Sequence, residues 1–200
     1  MKRPSFLILS LVLFFSSFAQ QDRNHYTDSM KAYQVNYINT HEVVKKKDRK
    51  YFRFFPIDRS YLVNAHFEKL GDTTGFTMTT SAHTVQHYFK YGRLDFSLSG
   101  TACHLYIYQS HELMKNPKLK DYLFVPFTDA TTGDESYGSG RYLEFFIQEI
   151  NNDMLVIDFN KAYNPYCAYA TGYHCPIPPG ENHLLVPVKA GEKNFGKTHH

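Results

Sequence analysis

Tryptophan is absent from this chain, which removes the side chain best suited to stacking on a sugar ring. Cysteine occurs three times, too seldom for a small scaffold held together by many disulfides. Charge of one sign is also scarce: 22 basic against 19 acidic residues leave +3, too little for a dedicated nucleic-acid binder, and no nucleic-acid partner is expected. No long apolar run is present either. The run Phe6–Phe15, broken only by Ser10, is shorter than the roughly 20 residues a bilayer span needs. What remains is a globular composition, 42% hydrophobic and 20% charged, which excludes a disordered chain. Aromatics reach 16%, carried by 16 tyrosines and 17 phenylalanines, and point to a β-rich core.

The beginning of the chain reads as an export signal. Lys2 and Arg3 supply the charged start, the short apolar run follows, and Ser17-Phe18-Ala19 ends in the small-x-small pattern of a cleavage site. Residues 1–19 are expected to be removed, which leaves 181 of the 200 residues, enough for one domain with a real core. The mature protein is then periplasmic or extracellular, with no stable membrane span. A transmembrane anchor is the competing reading of the same run.

Residues 20–50 are expected to form a helix and a basic linker. Met30, Tyr33, Tyr37, Ile38, His41 and Val44 recur at helical spacing, with Asp28 or Ser29 as N-cap. The run Lys45-Lys46-Lys47-Asp48-Arg49-Lys50 would be its solvated end. Residues 51–200 change to strand texture. Tyr61–Phe67, Phe76–Thr79, Tyr88–Tyr91 with a turn at Gly92, and Leu94–Leu98 come first. Then follow Ala102–Tyr108, Tyr122–Phe127, Arg141–Glu149, Met154–Phe159 and Leu184–Val188. In Ala102–Tyr108, Cys103, Leu105 and Ile107 share one face, and His104, Tyr106 and Tyr108 the other. The fold class is mainly β: a single-domain antiparallel barrel or sandwich with an N-terminal helix.

The blocks VPFTDATTGDESYGSGRYLEF, DFNKAYNPYCAY, YHCPIPPGENHL and VKAGEK, with YFRFFPID and YGRLDFSLSG upstream, resemble the bacterial family known as domain of unknown function 1684. The resemblance covers most of the mature chain. It implies a one-domain architecture and directs attention to Arg141, Asp158, Asn160, Tyr163, Asn164 and Glu181, with Asn182 beside the last. It implies no reaction.

Register can be argued for a hairpin spanning Arg141–Phe159. A three-residue loop at Asn151-Asn152-Asp153 sets Phe145 against Phe159 and Ile147 against Ile157, so that one face is apolar. Glu144 then lies opposite Asn160 and diagonal to Asp158. Paired carboxylates can do acid–base work or hold a hard cation; a solvated polar face is the plainer reading. Arg141 falls on the apolar face, where an unpaired charge is costly, so it requires a carboxylate or a bound anion. Asp158 through Asn164 leaves a strand into a turn, where Asp and Asn side chains can serve the backbone alone.

Cys167 and Cys175 are expected to form a disulfide in an exported chain. Zinc held by Cys167, Cys175, His174 and His183 is the alternative, disfavoured because adjacent His174 and Cys175 would strain a tetrahedron. Cys103 reads as a free, buried thiol. Gly138-Ser139-Gly140 precedes a strand, not a helix, so it reads as a tight turn and not a phosphate cradle. No metal or cofactor is assigned. Two functions stand: a module binding a small polar or anionic ligand through its C-terminal loops, or a hydrolase or lyase using Glu144 and Asp158, with or without a divalent cation.

Overall fold

The computed structural model describes residues 7–197. They form one helix, α1 (Leu7–Thr40), and eight strands: β1 (Leu62–Lys69), β2 (Phe76–Thr79), β3 (Val85–Leu98), β4 (Thr101–Ser110), β5 (Tyr122–Asp129), β6 (Arg141–Phe146), β7 (Met154–Asp158) and β8 (His183–Leu184). The chain divides into two units, one ending at Thr40 and one beginning at His41.

The first unit is α1. It runs through Asp28 and Ser29, so neither is an N-cap, and Lys45–Lys50 is not its end. Those lysines enter a separate 3-10 turn at Lys46–Tyr51. The start of the expected signal, residues 1–6, lies outside the described residues. Among the described residues no helix is long and apolar enough to cross a membrane.

The second unit is mainly β. Its strands form an antiparallel half-barrel in the order β6-β5-β4-β3-β1-β7, with β2 beside β3 and β8 parallel to β5. Strict alternation decides which face each residue takes. Leu94, Phe96 and Leu98 of β3 enter the main core with Leu105 and Ile107 of β4, as period two requires. Phe127 and Phe159 join them fully buried, their rings edge to face at 5.5 Å. The opposite face of the sheet carries a second cluster of Met78, Tyr88, Tyr108, Phe124 and Tyr142. The C-terminal tract adds Leu184, Val188 and Ala190 to the first cluster, and Tyr163 packs against the second.

Two expectations are corrected here. Gly92 is not a turn: it lies inside the continuous β3, where pairing with β4 slips between Lys90 and Gly92. A Cβ there would sit 2.2 Å from the Phe67 ring, so the strand needs glycine to pass that side chain. The β6–β7 hairpin is also absent. β6 pairs with β5, setting Glu144 opposite Phe124, and β7 pairs with β1, setting Asp158 opposite Leu62. Ile147–Glu149 forms a 3-10 turn, and Asn152 and Asp153, at φ 50° and 56°, reverse the chain between Asn151 and Met154. Phe145 and Phe159 do share the core, because alternation fixes a face; it does not choose the neighbouring strand.

Cys167 and Cys175 are bonded, with Cα atoms 6.3 Å apart. Their sulfurs are therefore not thiolate ligands. Among the described residues no group of His, Cys, Asp and Glu could hold a metal ion. Cys103 is free but half-buried, not buried, and desolvation pushes its thiol pKa up.

Candidate functional site

The chain beyond β8 has few strand partners for its backbone, and buried polar side chains take that role. Arg141 and Asp129 are fully enclosed and paired at 2.8 Å. The remaining guanidinium bonds run to the carbonyls of Ala190 at 2.5 Å, Glu192 at 3.2 Å and Val188 at 2.8 Å. Asp129 uses its other oxygen to accept from the N–H groups of Thr131 and Val188. The partner required for Arg141 is thus an internal carboxylate plus three carbonyls. Burial pulls the guanidinium pKa down and Asp129 opposes that.

The predicted asparagines work the same way. Asn160 accepts from the N–H of Asp58 at 3.0 Å and donates to its carbonyl at 2.9 Å, behaving like one more strand residue. Asp158 turns back on its own loop, accepting from the backbone and side-chain nitrogens of Asn160, each at 3.0 Å. Asn164, fully buried, donates its N–H to Glu192 and its amide to the Lys193 carbonyl. Asn182 repairs a gap in the sheet. Tyr108 pairs with Phe124, so the antiparallel register sets Tyr106 opposite Pro126, which has no N–H to give. The Asn182 amide accepts from Tyr106 N–H at 2.7 Å and donates to the carbonyls of Tyr106 and Pro126.

Three predicted residues lie instead on the outer face. Glu144 accepts from Tyr122 at 2.7 Å and also from Tyr163. Burial first, then the Glu144 charge, pushes the Tyr122 hydroxyl pKa up. Glu144 and Asp158 are therefore not brought together as a strand pair. Each has its own hydroxyl or amide donors. Glu181 accepts from Lys90 Nζ at 2.7 Å and from Tyr108 at 2.8 Å. Burial, then Glu181, drives the Tyr108 pKa up; burial alone pushes Tyr88 up to about 12.

Glu181 stands in the wall of an open cleft of about 690 Å³. One side is β2 with Gly75 before it; the other is Ile177 through Glu181, and Asp72 and Lys90 complete it. The loop forming the second wall is held at many points. The Cys167–Cys175 disulfide staples the segment leading into it, Tyr142 donates to the Pro176 carbonyl, and Pro178 packs against Gly140. Gly140, at φ 86°, leaves no room for a Cβ between Phe127 and Pro178, so its tight turn also seats this wall. Asp72 orders the opposite rim. It accepts from the N–H groups of Lys90, Thr74 and Gly75, the Lys90 bond first among the causes that hold its carboxyl below the usual range. Lys90 Nζ lies 4.8 Å from the Tyr106 ring centre.

The cleft can thus offer an ammonium, apolar and aromatic wall, and a partly exposed carboxylate in one preformed space. Sequence reasoning found Glu181 but missed Lys90, Asp72 and Phe76. Lys90 gives no signal, since a lysine in a strand is ordinarily solvent-facing. Asp72-Thr73-Thr74-Gly75 does carry the Asx-turn composition that the structure shows.

The chain belongs to the family described as protein of unknown function (DUF1684), whose model matches residues 48–193. Its structure is similar to the solution NMR structure of an uncharacterized protein from Haloarcula marismortui, with a TM-score of 0.64 and 28% sequence identity. The similarity covers 86% of this chain and 96% of that one. No curated protein matches the chain.

Proposed function

We propose that this family member is an exported binding module that takes a small polar or anionic ligand in the cleft between β2 and the stapled C-terminal loop. The observation that carries the reading is Lys90. Its ammonium reaches Glu181 at 2.7 Å, yet is one-third exposed beside the open cleft. An ammonium has three donors, so one carboxylate leaves it able to bind another oxygen. Glu181 is also held by Tyr108, which fixes the pair in place while a ligand shares the lysine. Phe76, Ile177 and Pro179 give an apolar part of the ligand a surface to cover.

Acetate and inorganic phosphate are the probes, followed by amide NMR shifts and melting temperature. Either anion should move the resonances of Lys90 and Glu181, and Lys90→Gln should weaken it about tenfold, the loss of one charge-assisted bond. Anions that leave the cleft untouched would reject the reading. Export has its own test: the N-terminus of the secreted protein should begin at Gln20. The hydrolase or lyase alternative gains nothing from the geometry: Glu144 and Asp158 are not a cross-strand pair, and each is held by its own donors, Tyr122 and Tyr163 for the one and Asn160 for the other.

A further inference from the structure

The cleft exists because a β-ladder stops at a proline. Residues Cys175–Ile177 run antiparallel to the end of β2: Ser81 N–H donates to the Cys175 carbonyl at 2.9 Å, and Ile177 N–H to the Thr79 carbonyl at 2.8 Å. Thr80 bridges Pro176 in the same register. Two residues further, that register sets Thr77 opposite Pro179, which has no N–H. The ladder cannot continue, and the loop diverges to become the far wall.

The orientation of Thr77 follows from alternation in β2. Thr80 N–H donates to Thr84, so Thr80 bonds inward toward β3; Thr79 bonds outward, to Ile177. Thr77 has the parity of Thr79, so its N–H and carbonyl also point outward. Thr77 lines the cleft, and no hydrogen bond to it from another described residue crosses that gap. The molecule meets the same problem at Pro126 and solves it with the amide of Asn182. At Pro179 no side chain of the described residues does so.

Resting on the reading that this cleft binds a ligand, we propose that its ligand is an extended peptide segment, added antiparallel to the outer edge of β2 with a free C-terminal carboxylate on Lys90. One peptide residue exchanges both backbone bonds with Thr77, in the place Pro179 cannot fill. A strand antiparallel to β2 runs from the Thr79 end toward Gly75, and Lys90 lines the cleft with Gly75. Direction and charge therefore agree: the terminus that reaches the ammonium is the anionic one. Both walls are fixed in place: the disulfide and Tyr142 anchor the loop, and the β3 ladder holds β2.

The test uses the full chain, an acetylated Ala-Val-Thr-Val-Ala peptide with a free carboxylate, its C-terminal amide, a series N-methylated at single positions, and acetate. Amide NMR titration should shift Gly75 and Thr77, the residues of outward parity that line the cleft, with the peptide. The free acid should bind about tenfold more tightly than the amide. N-methylation should weaken binding about tenfold at alternate positions only, since alternate amides face away from the strand edge. Thr77→Pro removes the outward N–H without touching the β2–β3 ladder. It should abolish peptide binding and leave the acetate response at Lys90; the methylation series decides the matter if that variant does not fold. Acetate that moves the cleft while peptides do not would overturn this proposal and leave the general reading standing. No response to either probe would overturn both. Equal loss at every methylated position, or cleft shifts that follow protein concentration instead of peptide, would reject the added strand, the latter in favour of a second copy of the chain.

Discussion

Replacing Asp129 with asparagine isolates the charge of the buried pair with Arg141 at nearly constant volume. The pair is 2.8 Å apart and neither side chain has any exposure. The asparagine oxygen can keep the bonds from Thr131 and Val188, but its NH2 group would then face the guanidinium, donor against donor. A buried cation left uncompensated costs about 3–5 kcal/mol. For a chain of this length that lowers the melting temperature by roughly 10 °C, at about 2–4 °C per kcal/mol. Replacing both partners by apolar residues should not restore stability here, although it often does for buried pairs. Arg141 also serves the carbonyls of Val188, Ala190 and Glu192, and each orphaned carbonyl costs about 1–3 kcal/mol. Urea unfolding of Asp129→Asn, Arg141→Met and the apolar double variant Asp129→Leu/Arg141→Met measures these effects. A loss under about 1 kcal/mol for Asp129→Asn, the size of a surface pair, would refute the assignment of this pair as the clamp of the C-terminal tract.

Asp158→Ala should lower stability by about 1–3 kcal/mol, because it strips the acceptor from Asn160, and should leave acetate binding unchanged; a lost acetate response would return Asp158 to the site. Reducing the Cys167–Cys175 bond should cost about 2–3 kcal/mol on the chain-entropy model, and the oxidised protein should yield the two peptides linked in mass mapping. Stability should also fall with acid through His41. Burial, aided by Arg49, lowers its pKa to about 4, while Nδ1 accepts from Val44 N–H. The unfolded chain takes up a proton near pH 6.5, so the contribution is complete above that pH and is lost between 6.5 and about 4, by at most about 3 kcal/mol. His41→Gln should flatten that slope in urea melts taken across the range; an unchanged slope would remove His41 as the cause.

Much of this molecule was settled by local pattern. Alternation put Leu94, Phe96, Leu105 and Ile107 into one core and Tyr108 onto the other face, because side chains of a strand cannot do otherwise. The disulfide expected between Cys167 and Cys175 is present. The cost of an unpaired buried charge demanded a partner for Arg141, and the partner exists. Which partner it is depended on contacts distant in sequence. Asp129 and the carbonyls of residues 188–192 meet Arg141 only through the fold. The same limit defeated the hairpin register: Phe145 and Phe159 share a core whether or not β6 and β7 pair with each other, so apolar parity could not show that their partners are β5 and β1. Pro126 and Pro179 were plain in the sequence as residues without an N–H. Only the tertiary register set them opposite Tyr106 and Thr77, so that one gap is closed by Asn182 and the other opens as a cleft.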